Sequence, residues 1–247
     1  MVDVSHARDR FWNALPGFET RHFPESIRST LRRFWAETAQ MEHASIASFN
    51  RFSLQLLAVG APPELLEASQ RAGLDEIEHA RMAFALASKY GSEPLGPDAL
   101  DLRGDTLGPL DLASVAAATV EEGCVGETLA ALEAEAAREI SQAPALHAAW
   151  SVIAEDEARH AELAWSFVRW ALESGSPEVR ASVEAAFERS LRRLTEEPRL
   201  ESPLDAELEA HGRLSARTRS ALHERALDEV LRPTVAELLN RERSRSR

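Results

Sequence analysis

Four stretches of this chain carry apolar residues at steps of three and four, and each is broken once, near its middle, by Glu or by Glu plus His. The first runs Leu31, Trp35, Thr38, Glu42, Ser45, Phe49, Phe52, Leu56. The second runs Leu65, Ser69, Ala72, Glu76, His79, Ala83, Leu86. The third runs Val115, Ala118, Glu122, Val125, Leu129, Leu132, and the fourth Leu146, Trp150, Ile153, Glu157, His160, Ala164, Phe167. Such spacing puts each set on one side of an α-helix, the side a globular chain buries. Burying all four sides together therefore places four carboxylates and two imidazoles in one dry layer. No fold is acceptable for this chain unless it also deals with that charge.

An isolated buried carboxylate costs several kcal/mol, and four together raise one another's pKa until the layer is lost or neutralised. Two divalent cations would bring four positive charges to Glu42, Glu76, Glu122 and Glu157. His79 and His160 then complete a ligand set suited to hard or borderline metals. The spacing is more specific than one motif. Chance yields about one E-x-x-H in a chain of this composition, and here there are three. Glu19-Thr20-Arg21-His22 lies between Pro16-Gly17 and Pro24 on no apolar stripe and is set aside. The other two read D-E-x-x-H-A, at Asp75–Ala80 and Asp156–Ala161, and their Glu residues follow Glu42 and Glu122 by 34 and 35 positions. A helix bearing Glu followed by a helix bearing E-x-x-H is thus repeated. On the third stretch Glu121 lies about 100° from the stripe. Glu127 shares a side with Cys124 and Ala131, and it is kept as an extra ligand.

Strand signals are nearly absent, and Ala, Leu, Glu and Arg dominate. Breakers at Pro24, Gly60–Pro63, Gly91–Pro97, Pro144, Gly175–Pro177 and Pro203 bound helices over 27–58, 63–90, 111–140, 144–173, 177–197 and 214–239, with a weaker one over 4–14. Ser26, Asp111 and Ser176 are the expected N-caps, and Pro233 should kink or divide the last helix. The first and third joins are short and predict antiparallel hairpins. Residues 91–110 form a long link, able to run the length of a bundle because an extended chain covers about 3.3 Å per residue. The expected architecture is all-α: an N-terminal extension (1–26), a four-helix bundle of two hairpins with one long crossover (27–173), C-terminal helices packed on it (174–240) and a disordered basic tail (241–247).

Composition excludes several classes. The net charge of −13 argues against nucleic-acid binding. No apolar run approaches the ~20 residues of a membrane span, and the start, MVDVSHARDRFW, has no signal-peptide core. A cytoplasmic protein without membrane or nucleic-acid partners is expected. The single Cys124 forbids an intrachain disulfide and reads as a small core residue. His43 follows Glu42 but points elsewhere. Tyr90, the one Tyr, is 11 residues past His79, about 16 Å along a helix and too far for a radical role at the Glu/His layer.

The order Glu, E-x-x-H, Glu, E-x-x-H over roughly residues 28–172 resembles the ferritin-like di-metal carboxylate superfamily. DEARH (156–160) is similar to the D-E-x-R-H signature of di-iron oxygenases, ribonucleotide reductase small subunits and acyl carrier protein desaturases. EHASIASF (42–49) and EGCVGET (122–128) are similar to stretches of bacterial stand-alone ferritin-like proteins. The resemblance implies two iron ions, or manganese or a mixed pair in their place. It implies Glu76 and Glu157 as bridging ligands, with Glu42, Glu122, His79 and His160 completing the two ends. It implies Asp75 and Asp156 as acceptors for the ligand His N–H groups across the bundle.

The activity so implied is O2-dependent oxidation or oxygenation of a small organic substrate. An electron-donor protein and a homodimer are compatible partners. Phe49, Phe52, Ala83, Ala164 and Phe167 are the expected apolar pocket, with the C-terminal helices over its mouth. The alternatives are iron oxidation or peroxide detoxification, and a non-enzymatic, metal-stabilised interaction module. A storage cage has no need of some 70 residues beyond the bundle, and one Cys cannot make a four-Cys iron site.

Overall fold

The computed structural model describes residues 19–20, 22–91, 93–102, 107–194 and 204–245, with side chains to Asn240. The helix expected over 4–14 lies outside these residues. Helices account for nearly all of the described regular structure, and no strand occurs among the described residues.

Helices α1 (Glu25–Val59) and α2 (Pro63–Tyr90) form the first hairpin. Gly60 closes α1 in the left-handed conformation (φ 69°), its N–H returning to the Leu56 and Leu57 carbonyls. Pro63 opens α2 at the position where a missing N–H costs nothing. The second hairpin is built from α3 (Leu112–Thr119), a π-helical stretch (Val120–Glu127) and α4 (Thr128–Ile140), which run on as one rod, followed by α5 (Pro144–Ser174). Asp111 caps α3 by accepting the Ser114 N–H at 2.9 Å. Ser176 caps without a side-chain bond, and Ser26 lies inside α1 because Pro24 takes the cap position. α2 packs on α5 and joins the two hairpins.

The link from residue 91 to 111 begins at the far end of α2, where Ser88 Oγ accepts the Leu95 N–H at 2.8 Å. By Leu107 it has reached the other end of the hairpin, where Gln55 Nε2 donates to the Leu107 carbonyl at 2.9 Å. It therefore traverses the length of α1.

The C-terminal region packs on this frame. On α6 (Pro177–Arg193), Val179, Val183 and Phe187 are buried in one cluster with Val115, Val120 and Phe167. Phe187 stacks on Trp165, whose indole N–H donates to Thr128 Oγ1 at 3.1 Å. A short α7 (Asp205–Glu209) meets α1, and α8 (Ala216–Ala226) lies on α4. A π turn (Leu227–Leu231) leads into α9 (Arg232–Arg245). The interruption expected at Pro233 thus takes the form of a π turn between two α-helical segments. The wider turn just before it accommodates the proline, whose ring crowds the preceding turn of an α-helix. The helical backbone of α9 extends to Arg245. No described helix is long and apolar enough to cross a membrane.

Candidate metal centre

At mid-height, α1, α2 and α5 present their interruptions to one another as the periodicity expects. Glu76, His79, Glu157 and His160 are buried, and the Glu42 side chain is 14% exposed. One ligand atom from each of Glu42, Glu76, His79 and Glu157 falls within 4.8 Å of the others, and Glu127, Glu157 and His160 form a second such group. Glu157 belongs to both. The groups also touch through Glu76, whose Oε1 lies 3.2 Å from His160 Nδ1.

The fourth carboxylate of the layer comes from Glu127. Glu122, expected on the stripe, is exposed and accepts from Arg51 Nη2 at 2.6 Å, outside the ligand groups. The reason is the π-helical stretch. Bonding from i to i+5 puts extra residues into each turn, so the inward stripe slips toward the C-terminus. Its buried positions become Val115, Thr119/Val120, Cys124/Val125 and Thr128/Leu129, while Ala118 turns outward. Gly123 lets this rod approach α5 closely, since a Cβ there would stand 2.5 Å from that of Ala164. Glu121 is turned away as expected, toward Arg189 and Arg193.

The aspartates reach across the layer. His79 Nε2 lies 2.9 Å from Asp156 Oδ2, and His160 Nε2 lies 3.4 Å from Asp75 Oδ2. Each carboxylate accepts its histidine's Nε2–H, which leaves Nδ1 to face the cluster. Arg159, which the sequence reading passed over, bonds Asp156 and also reaches Asp75 at 3.4 Å, tying the two acceptors together. Its signal was present in DEARH, three residues after Asp156.

Four buried atoms inside the layer have no hydrogen-bond partner: Nδ1 of His79, Nδ1 of His160, Oε2 of Glu76 and Oε2 of Glu157. Buried polar atoms are ordinarily satisfied, and each orphan is costly. Convergent lone pairs with no donor between them suit a cation. The donor set of carboxylates and imidazoles, each imidazole backed by a carboxylate, fits a divalent metal. This buried cluster is therefore able to hold a metal ion.

Without metal, protons take the cation's place. Burial pushes Glu76 up to about 8, with Glu42 and Glu157 adding to the rise. Burial and the neighbouring Glu157 push Glu127 well above the usual carboxylate range. Burial opposes charge on His79, but Glu157 and Glu42 overcome it and raise the imidazole to about 11. Burial likewise opposes charge on His160, which Glu157 and Glu76 raise to about 9. Glu157 is held low despite burial by His160 and His79. At neutral pH protons thus sit on Glu76, His79 and His160, and Glu127 is shifted in the same direction, so protons supply positive charge that divalent cations would otherwise carry.

Two cavities reach the cluster. The smaller, about 320 Å³, ends on His160 and Glu127 and is walled by Phe49, Phe52, Leu163 and Ala164. Phe49 meets the His160 ring edge-on at 4.9 Å. Ala83 and Phe167, expected in this pocket, are fully buried in the packed clusters to either side and line neither cavity. The larger, about 610 Å³, ends on Glu42, Glu76, Glu127 and Glu157. Its walls are Phe34, Met41, Trp150 and Ile153, and its roof is Gly212, Leu214, Arg219 and His223 from the C-terminal region. Of these, Trp150 carried a sequence signal, as an aromatic next to the Glu/His layer, whereas Phe34, Met41, Gly212, Leu214, Arg219 and His223 carried none.

His43 faces an outer groove beside the crossover link, away from the cluster. Cys124 is free and buried. Tyr90 is buried at the end of α2, its hydroxyl 3.1 Å from His211 Nδ1.

Comparison with protein-family models, curated proteins and solved structures finds no match.

Proposed function

We propose that this chain is a ferritin-like four-helix protein that holds two metal ions, iron or manganese, and uses O2 to oxidise a small organic substrate. The observation that carries the reading is the pair of ligand groups sharing Glu157, with four orphaned buried atoms turned inward. Glu42 and His79 would hold one ion, Glu127 and His160 the other, and Glu157 and Glu76 would lie between them. Bound iron or manganese would supply the electron-transfer and O2 chemistry that side chains lack.

The chain's own residues set the conditions for that chemistry. Asp156 and Asp75 fix the histidine tautomers and hold each ring with Nδ1 inward. Phe49, Phe52 and Leu163 on one side, and Trp150 and Ile153 on the other, limit water at the cluster. A 610 Å³ cavity is of the size that takes an organic molecule. Iron oxidation is the second reading, favoured by the carboxylates of Glu37 and Glu122 along the larger cavity.

The test is anaerobic reconstitution with Fe(II), metal analysis, and O2 uptake with and without organic co-substrates. About two metals per chain and O2 uptake that depends on a co-substrate are expected. Uptake tied only to Fe(II) added would establish the second reading. A plateau at one metal, or at none with the fold intact, refutes the dinuclear centre.

A further inference from the structure

The roof of the larger cavity holds a charged group that the chemistry above does not use. Glu133 on α4 faces Arg219 and His223 on α8. His223 Nε2 donates to Glu133 Oε1 at 2.6 Å, and Arg219 Nε stands 3.0 Å from Glu133 Oε2. Both oxygens of Glu133 are engaged. Arg219 is not satisfied in return: its Nε is buried and the 3.0 Å contact lacks hydrogen-bond geometry. Among the described residues no acceptor meets its terminal amino groups. The Arg219 side chain is 41% exposed and lines the cavity, so its guanidinium stands beside Glu133 at the solvent side of the roof with terminal amino groups that no described residue engages.

The rest of the cavity narrows what can use those donors. Between the roof and the Glu/His cluster the walls are Phe34, Met41, Trp150, Ile153 and Leu214. Glu37 and Glu122 also line this cavity, the first exposed to solvent and the second countered by Arg51, so the positive charge open to an anion is that of Arg219. The roof is also seated firmly. Gly212 (φ 79°) lies so close to Trp150 that a Cβ would meet the indole Nε1 at 2.3 Å.

We infer that this cavity binds an apolar molecule ending in a carboxylate, with the carboxylate on Arg219 and the apolar body directed toward the Glu/His cluster. A guanidinium with free donors recognises a carboxylate through paired N–H bonds. The C-terminal region is then the part of the chain that selects the substrate. The inference deepens the proposed function by naming its substrate class, but binding at Arg219 needs no metal redox chemistry.

The test therefore uses the full chain loaded with redox-inert Zn(II), with the metal content of each sample measured separately. Hexanoate, octanoate and 4-phenylbutanoate are titrated by calorimetry and by Trp fluorescence, beside 1-octanol and octylamine. At least one carboxylate should saturate and bind more tightly than 1-octanol. Arg219→Met should weaken it roughly 10- to 100-fold, the range for a lost hydrogen bond to a charged group, and leave 1-octanol unchanged. Arg219→Lys should fall between. Arg219-dependent carboxylate binding in a chain that takes up no Zn(II) would sink the metal reading alone. No saturable carboxylate binding, a preference for octylamine, or equal carboxylate affinity in Arg219→Met overturns the inference. The last result would mean that the carboxylate sits directly on the metal.

Discussion

Replacing Asp156 by Asn keeps the size of the side chain and removes its charge, which isolates what that charge does for His79. The bond from His79 Nε2 to Asp156 Oδ2 is 2.9 Å, His79 is fully buried, and the Asp156 side chain is 11% exposed. A hydrogen bond to a charged acceptor contributes about 1.5–3 kcal/mol, against about 0.5–1.5 for a neutral one. The Asn oxygen can still accept, so only the difference is lost, about 1–1.5 kcal/mol. That corresponds to a roughly tenfold weaker metal affinity, since 1.4 kcal/mol is a factor of ten. Asp75→Asn should do less, roughly threefold or below, because His160 Nε2 is 3.4 Å from Asp75 and that side chain is 27% exposed. Loss of the Arg159 ion pair in either variant contributes about 0–1 kcal/mol to stability, because Arg159 is largely exposed. The assay is competition with a chelator of known affinity on refolded, helical protein. Equal losses in the two variants, or none in Asp156→Asn, would refute the reasoning that a buried charged acceptor makes His79 a better ligand.

Two further outcomes follow from the geometry. Glu127→Gln should lower metal uptake by up to one ion per chain while Glu122→Gln leaves it unchanged, measured by elemental analysis after dialysis; the reverse pattern would place the π-helical stretch in the wrong register. The second concerns pH. Glu76, His79 and His160 have folded pKa values of about 8, 11 and 9, all above their unfolded values, so the folded metal-free chain binds more protons than the unfolded one. Its stability should therefore fall as pH rises from the ordinary carboxylate range through about 8 to 11. Metal affinity should rise over the same interval, because the ligands must lose those protons. Near pH 7, loading two divalent ions should release the protons held by Glu76, His79 and His160, about three in a pH-stat titration, and release of none would show that the metal binds elsewhere.

Much of this centre was legible in the order of residues. Glu42, Glu76, His79, Glu157 and His160 sit on uninterrupted α-helix, where 3.6 residues per turn fixes which side chains share a face. The cross-layer placement of Asp75 and Asp156 follows from the same rotation, each lying about 100° from the buried Glu beside it. Pro63, Gly60 and Pro144 marked the hairpin joins because proline and glycine act through local backbone geometry alone.

The rest depended on contacts between segments far apart in sequence. Glu122 and Glu127 are both reasonable on a regular helix, and the choice between them lies with the π-helical stretch, where Gly123 meets Ala164 of α5. The Arg219–Glu133–His223 group has no period to betray it, since it joins α8 to a helix some 90 residues earlier. Ala83 and Phe167 kept their helical faces but were taken up by packing to either side of the layer. The sequence by itself determined the long helices and the buried Glu/His layer on α1, α2 and α5, because each is a property of local rotation. Only the tertiary structure decided the fourth carboxylate and the roofed cavity, because helix registry and the docking of the C-terminal region are settled by packing between surfaces rather than along the chain.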